Sequence, residues 1–253
     1  MSKYDDFRRK LALREKVQGT TITYFNEPML IERMNRDDLD FLLFDMEHGP
    51  YNAEKLVLHL YLCRTFDIPS LVRVQDTGYH LISKTIDMGA DGIVLPRTET
   101  PEQLKSAVDA LYFHPVGKKG FGGYTQLRKD EDYAAFQKGR FLFPQIESPK
   151  GIDNLPAMLK EYGEWISGFI VGPFDMSIMV GTPQDIYSSE MLAAIKQTFD
   201  ICIERGKSVG IFCNNTDEAA VYKKMGANIF WLTTDLVFFM DGYTRAFDAL
   251  AKI

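Results

Sequence analysis

The sequence predicts an α/β fold, a (β/α)8 barrel that takes up residues 1–253 as one domain. Three observations predict it. Eight short apolar runs alternate with amphipathic stretches along the chain. The runs are apolar at consecutive positions, which suits strands covered by barrel core on one face and by helices on the other. Residues able to do chemistry gather where the runs end.

The first run, 19–24 (GTTITY), precedes a helical pattern at 26–36. The second, 41–46 (FLLFDM), leads into a pattern at 52–66, and the third, 70–74 (SLVRV), into 79–88. The fourth, 92–96 (GIVLP), stops at a proline before a helix at 101–112. The fifth, 141–147 (FLFPQIE), is followed by 151–161, and the sixth, 168–173 (GFIVGP), by 185–205. The seventh, 208–213 (SVGIFC), precedes 217–225. The eighth, 229–235 (IFWLTTD), precedes 237–250, where Phe238, Phe239, Tyr243 and Phe247 build an apolar face. Gly89 and Gly226 stand where helices end before the next strand, a position glycine fills without strain. An open doubly wound sheet is the competing arrangement, but no GxGxxG follows the first strand, which weakens its dinucleotide-binding version. The connection 113–140 is longer than usual, and its length predicts a cover over a site.

Composition narrows the function classes. Hydrophobic residues make up 45% and charged residues 25%, an ordinary globular balance that argues against disorder. The formal charge is −6 and no basic run occurs, so a nucleic-acid partner is not expected. No apolar run reaches the roughly 18 residues of a membrane span, and Met1–Lys10 lacks the apolar core of a signal peptide. Cys63, Cys202 and Cys213 form no CxxC pair, which leaves neither a disulfide framework nor a structural zinc site. The expectation is a reduced, cytoplasmic protein acting on small molecules.

Barrel active sites lie at the carboxyl ends of the strands. There the sequence places Asp45, Glu47 and His48 after the second strand, Arg73 in the third, Gln145 and Glu147 in the fifth, and Gly172, Pro173, Phe174 and Asp175 after the sixth. Gln145 and Glu147 are two apart and share a strand face. Glu147 and Asp175 suit a divalent cation such as Mg²⁺ or Mn²⁺. Alternatively, each caps a following helix. Arg73 either awaits an anion or forms an ion pair with Asp45 or Glu47. His48 is able to move protons near neutral pH. His59 reads as a surface or packing residue, whereas His80 and His114 are rim candidates. Cys213 and Asp235 end strands and border the pocket. No strand ends in a lysine placed for a Schiff base, which argues against class I aldolase chemistry.

The segments Asp40–His48, Leu71–Val74, Thr85–Pro96, Pro144–Glu147 and Ile170–Ser177, in this order and at strand ends, resemble the HpcH/HpaI class II aldolases of the phosphoenolpyruvate/pyruvate superfamily. The resemblance covers about residues 5–235. It implies a metal (Mg²⁺ or Mn²⁺, with Co²⁺ also compatible) on Glu147 and Asp175, and pyruvate near Gln145 and the amides around Gly172, Pro173, Phe174 and Asp175. It implies that Arg73 steadies the enolate oxygen and that His48 is the acid–base group, oriented by Asp87, with Asp45 near the proton path. It further implies a homohexamer with exchanged C-terminal helices. Three residues depart from the family pattern: Lys119 replaces an arginine, Val116 replaces the second of two prolines, and Phe174 stands where a small residue is usual. The reaction so implied is reversible cleavage of a 4-hydroxy-2-oxo acid into pyruvate and an aldehyde. Condensation of the same enolate with an acyl thioester or oxaloacetate, giving a citrate-like product, is the alternative. A silent barrel scaffold is a third reading, set against the complete rim set of His48, Arg73, Glu147 and Asp175.

Overall fold

In the computed structural model, which describes residues 1–253, each of the eight apolar runs is a strand. They are β1 (Val17–Ile22), β2 (Phe41–Asp45), β3 (Ser70–Arg73), β4 (Gly92–Leu95), β5 (Phe141–Ile146), β6 (Gly168–Val171), β7 (Ser208–Cys213) and β8 (Ile229–Thr234). All neighbours pair in parallel in chain order, and β8 returns to β1, so the barrel is closed and the open sheet is excluded. Successive side chains of a strand point to opposite faces. Leu43, Leu71, Phe143 and Ile170 therefore fill the interior. Leu42, Phe44, Val72 and Ile93 pack outward under the helices.

The helical patterns become α2 (Met29–Met34), α3 (Ala53–Thr65), α4 (Tyr79–Asp87), α5 (Pro101–Leu111), α7 (Pro149–Tyr162), α9 (Ser189–Glu204), α10 (Thr216–Met225) and α11 (Asp235–Leu250). Asn52, Thr100, Ser148, Ser188 and Asn215 accept first-turn N–H groups and set where α3, α5, α7, α9 and α10 begin. Gly226 closes α10 in the left-handed conformation, φ 110°, as its position predicts.

Three helices lie outside the predicted pattern. One is α1 (Lys3–Ala12), which buries Tyr4, Phe7 and Leu11 in the barrel floor. Phe7 meets Phe141 there at 4.8 Å between ring centroids. The others are α6 (Tyr133–Gly139) and the short α8 (Pro173–Met179).

The connection 113–140 does not cover the strand ends, contrary to expectation. It joins the end of α5 to the start of β5, both at the floor of the barrel, and its Lys119–Gly122 part packs along α4 against Tyr79, Ser83 and Asp87. Arg64 holds it by donating to the carbonyls of Thr125 and Leu127 at 2.6 and 2.7 Å. Arg128 forks onto the fully buried Asp91 at 2.8 and 2.7 Å. His114 is therefore not a rim residue.

Candidate active site

The strand register assembles the site. Asp45, the last residue of β2, lies level with Arg73 of β3. Arg73 donates to both Asp45 oxygens, Nε to Oδ1 at 2.9 Å and Nη2 to Oδ2 at 2.6 Å. Asp45 Oδ1 also accepts the backbone N–H groups of Glu47 and His48 at 3.0 and 3.3 Å. One buried carboxylate thus aims the guanidinium and fixes the turn that carries His48. These contacts make Asp45 a positioning group.

Arg73 is ion-paired, as one of its two readings expects, yet it still lines the mouth. Burial opposes its charge. The fork to Asp45 and the charges of Glu47 and Glu147 outweigh burial and raise its pKa. Glu47 stands between two guanidinium groups and an imidazole: Arg73 Nε at 3.4 Å, Arg97 Nε at 3.4 Å and His48 Nε2 at 3.7 Å. Burial lifts the Glu47 carboxyl above its usual range despite them. The His48 ring is 66% exposed, open to both substrate and solvent.

Glu147 follows β5 and is buried, with Oε1 accepting the Arg97 N–H at 3.1 Å. Ser148 caps α7 and Gly172 precedes α8, so neither Glu147 nor Asp175 takes the capping role. Burial pushes the Glu147 carboxyl up to about 8, helped by its hydrogen bond to Asp175 and by the charges of Asp175 and Glu47. Beside the pair, Gln145 is 2% exposed and its Oε1 has no hydrogen-bond partner. Gly172 permits this crowding: a Cβ there would fall 2.6 Å from Gln145 Nε2 and 2.9 Å from Glu147 Cδ. Two carboxylates with an orphaned amide oxygen fit a hard divalent cation. No cluster of three or more His, Cys, Asp or Glu side chains accompanies them, so a cation held here would draw its remaining oxygens from water or substrate.

A cavity of about 330 Å³ joins these groups. Asp45, His48, Arg73, Gln145 and Gly172 to Asp175 line one side; Thr21, Thr23, Thr234, Phe212 and Trp231 line the other. Glu147 opens with Asp175 into an adjoining cavity of about 440 Å³ that also holds Arg97.

A family profile described as HpcH/HpaI aldolase/citrate lyase matches residues 23–241. The chain belongs to this family. A 2-keto-3-deoxy-L-rhamnonate aldolase of Klebsiella pneumoniae is 28% identical over 214 residues, 83% of this chain and 78% of that one. A hydroxypyruvate/pyruvate aldolase of Chromohalobacter salexigens is 30% identical over 202 residues, 78% of this chain and 79% of the other. The crystal structure of an HpcH/HpaI aldolase from Desulfitobacterium hafniense superposes with a TM-score of 0.89 at 19% identity, covering 97% and 96% of the two chains. That likeness speaks to the fold. No helix is long and apolar enough to cross a membrane.

In this HpcH/HpaI family member, Asp87 is not brought to His48. It ends α4, which runs from the rim toward the floor, and it pairs with the buried Lys119 at 2.5 Å. Orientation of His48 by Asp87 is therefore not made within one chain, and Lys119 is held away from the mouth. Asp235 is structural: its Oδ2 accepts the N–H groups of Thr23, Tyr24 and Phe25 and seals β8 to β1. The Cys213 thiol is pushed up to about 12 by burial, with Glu218 adding to it, which leaves it unreactive. His59 is a packing residue and not a surface one, set against Phe44 and Tyr51. Phe174 is partly exposed at the mouth, its ring 6.0 Å from Phe212. The rim residues beyond the sequence-derived set are Arg97, Phe212, Trp231 and the three threonines. For Phe212 and Trp231 the signal is hidden in apolar runs.

Proposed function

We propose that this family member is a metal-dependent class II aldolase that cleaves a 4-hydroxy-2-oxo acid reversibly into pyruvate and an aldehyde. The observation that carries the reading is one rim holding a buried Glu147 beside an exposed Asp175, an orphaned amide oxygen, a fixed guanidinium and an exposed imidazole. Glu147 and Asp175 would hold Mg²⁺ or Mn²⁺, with Co²⁺ compatible, and Gln145 Oε1 lies beside them. When bound, the metal supplies Lewis-acid polarisation of the 2-oxo group. Arg73 offers its fixed charge to the oxygen that becomes negative as the C3–C4 bond breaks. His48 takes the 4-hydroxyl proton in cleavage and returns it in synthesis. Asp45 positions both. In the first turn of α8 the N–H groups of Phe174 and Asp175, which follow Pro173, have no intrahelical acceptors and suit the substrate carboxylate. One named relative is, by its name, an aldolase of a 2-keto-3-deoxy acid and the other an aldolase of hydroxypyruvate and pyruvate, which supports aldol chemistry on a 2-oxo acid.

The same reading extends to assembly. In α11 only Asp235 is buried, while Phe238, Phe239, Met240, Tyr243, Phe247 and Leu250 are exposed. A groove of about 570 Å³ beside β1, β8 and α10 is lined by Met34, Leu39, Phe230 and Leu232. The exposed apolar face of α11, of which only Phe238 lines the groove, supports exchange of α11 between copies, with a hexamer as the family's assembly. Each apolar side chain so covered contributes about 1.5–3 kcal/mol.

The test is product analysis after incubation with pyruvate, a panel of aldehydes and Mg²⁺ or Mn²⁺, with a chelator control. A 4-hydroxy-2-oxo acid formed only with metal is expected. Product with acyl thioesters and none with any aldehyde would replace aldol chemistry with citrate-like condensation.

A further inference from the structure

Trp231 is 3% exposed on β8, and no step above uses it. Three contacts define its place. Its Nε1–H donates to Thr21 Oγ1 on β1. Phe212 meets the indole edge-on, 5.3 Å between centroids at 89°. The Arg73 guanidinium carbon stands 5.2 Å from the ring centroid. Two strands, β1 and β2, separate β8 from β3, so this last contact needs a long side chain from each. The indole is thus anchored at its nitrogen, buttressed on one flank, and set close to a cation.

The backbone around this contact is irregular in a way that points to the same residues. The β1–β8 register shifts between Gly19 and Thr21. Two residues beyond Trp231, Thr233 has φ 42°, a strained value for a β-branched side chain. Such strain persists only where the surroundings over-determine it.

We propose that Trp231, held by Thr21, is a positioning residue for Arg73. Asp45 and Glu47 draw the guanidinium toward β2, and the fork to Asp45 fixes its direction. A two-point fork leaves rotation about its own line free. The indole on the β8 side restrains that rotation through cation–π attraction and contact. The guanidinium is then presented to the mouth at one tilt. The inference rests on the reading that Arg73 acts on the pyruvate oxygen.

The test uses full-length Thr21→Val, Thr21→Ser, Trp231→Phe and Trp231→Leu. Deuterium exchange at pyruvate C3 with Mg²⁺ is measured per folded enzyme. The Arg73 Hδ resonances, displaced by the indole ring current, are followed by NMR without substrate. Thr21→Val and Trp231→Leu should slow exchange about three- to thirtyfold, the rate equivalent of one cation–π contact. Thr21→Ser, which keeps the acceptor, should recover most of the loss, and Trp231→Phe should fall between. The Arg73 resonances should shift in Trp231→Leu and move partly in Thr21→Val. Should Trp231→Leu fail to fold, Thr21→Val and Thr21→Ser decide. Reduced thermal stability with parental exchange per folded molecule and unmoved Arg73 resonances would overturn the proposal. Absence of exchange in the parent would remove the aldolase reading instead, and the Arg73 resonances alone would then decide the positioning role.

Discussion

Glu147→Gln keeps the shape of the side chain and removes its charge. The parent carboxyl titrates at about 8, mainly because it is buried, with Asp175 and Glu47 adding repulsion. In the unfolded chain it returns to about 4.5. A carboxyl raised on folding binds its proton more tightly in the native state. Its protonated form therefore favours the fold at low pH, and that advantage is lost as pH rises from about 4.5 through about 8. The gap corresponds to a ceiling of about 5 kcal/mol when Glu147 is fully ionised. In chelator at pH 9, Glu147→Gln should then unfold at a higher temperature than the parent, by on the order of 10 °C. At pH 4 the two should coincide. Saturating Mg²⁺ or Mn²⁺ should stabilise the parent, by about 2.7 kcal/mol at a hundredfold excess over Kd, and should barely move Glu147→Gln. Scanning calorimetry over pH 4–9, with and without metal, measures all of this. A Glu147→Gln variant less stable than the parent at pH 9 in chelator, with equal metal shifts in both, would refute the reasoning.

His48→Ala should lower aldol cleavage by about 10²–10⁴-fold while pyruvate affinity, measured by calorimetry, holds; equal rates with chemistry limiting would reject the proton-transfer role. Arg73→Ala should both unfold more easily, by about 3–5 kcal/mol because Asp45 is left buried and unpaired, and lose pyruvate exchange. Arg73→Lys should keep metal with much lower turnover, and normal exchange per folded Arg73→Ala molecule would contradict the assignment. Phe247→Asp should lower the assembly mass in light scattering along with thermal stability; an unchanged mass would count against exchange of α11.

Most of the barrel was legible in the sequence because each strand is a continuous apolar run between amphipathic stretches. The floor helix α1 escaped notice because its three buried residues, Tyr4, Phe7 and Leu11, are scattered among charges, although their spacing of three and four is helical. Length alone puts the connection 113–140 over the site. Its neighbours, a helix before and a strand after, put it at the floor by topology. Of the site, residue types at strand ends could be read directly. The Arg73–Asp45 fork depends on the register of β2 against β3, and the Trp231 contact depends on reach across two strands, neither of which is a local property. Asp87 came from family resemblance, and the direction of α4 takes it away from His48 within the chain.

The central claim is that this mouth makes an enolate of pyruvate. Proton NMR of pyruvate in D₂O, with the enzyme and Mg²⁺ or Mn²⁺ and no aldehyde, tests it most directly. The account predicts loss of the methyl signal at a rate that falls to background on chelation and in Glu147→Gln and Arg73→Ala. A methyl signal that persists at the non-enzymatic rate, with folded protein and saturating metal, would contradict it.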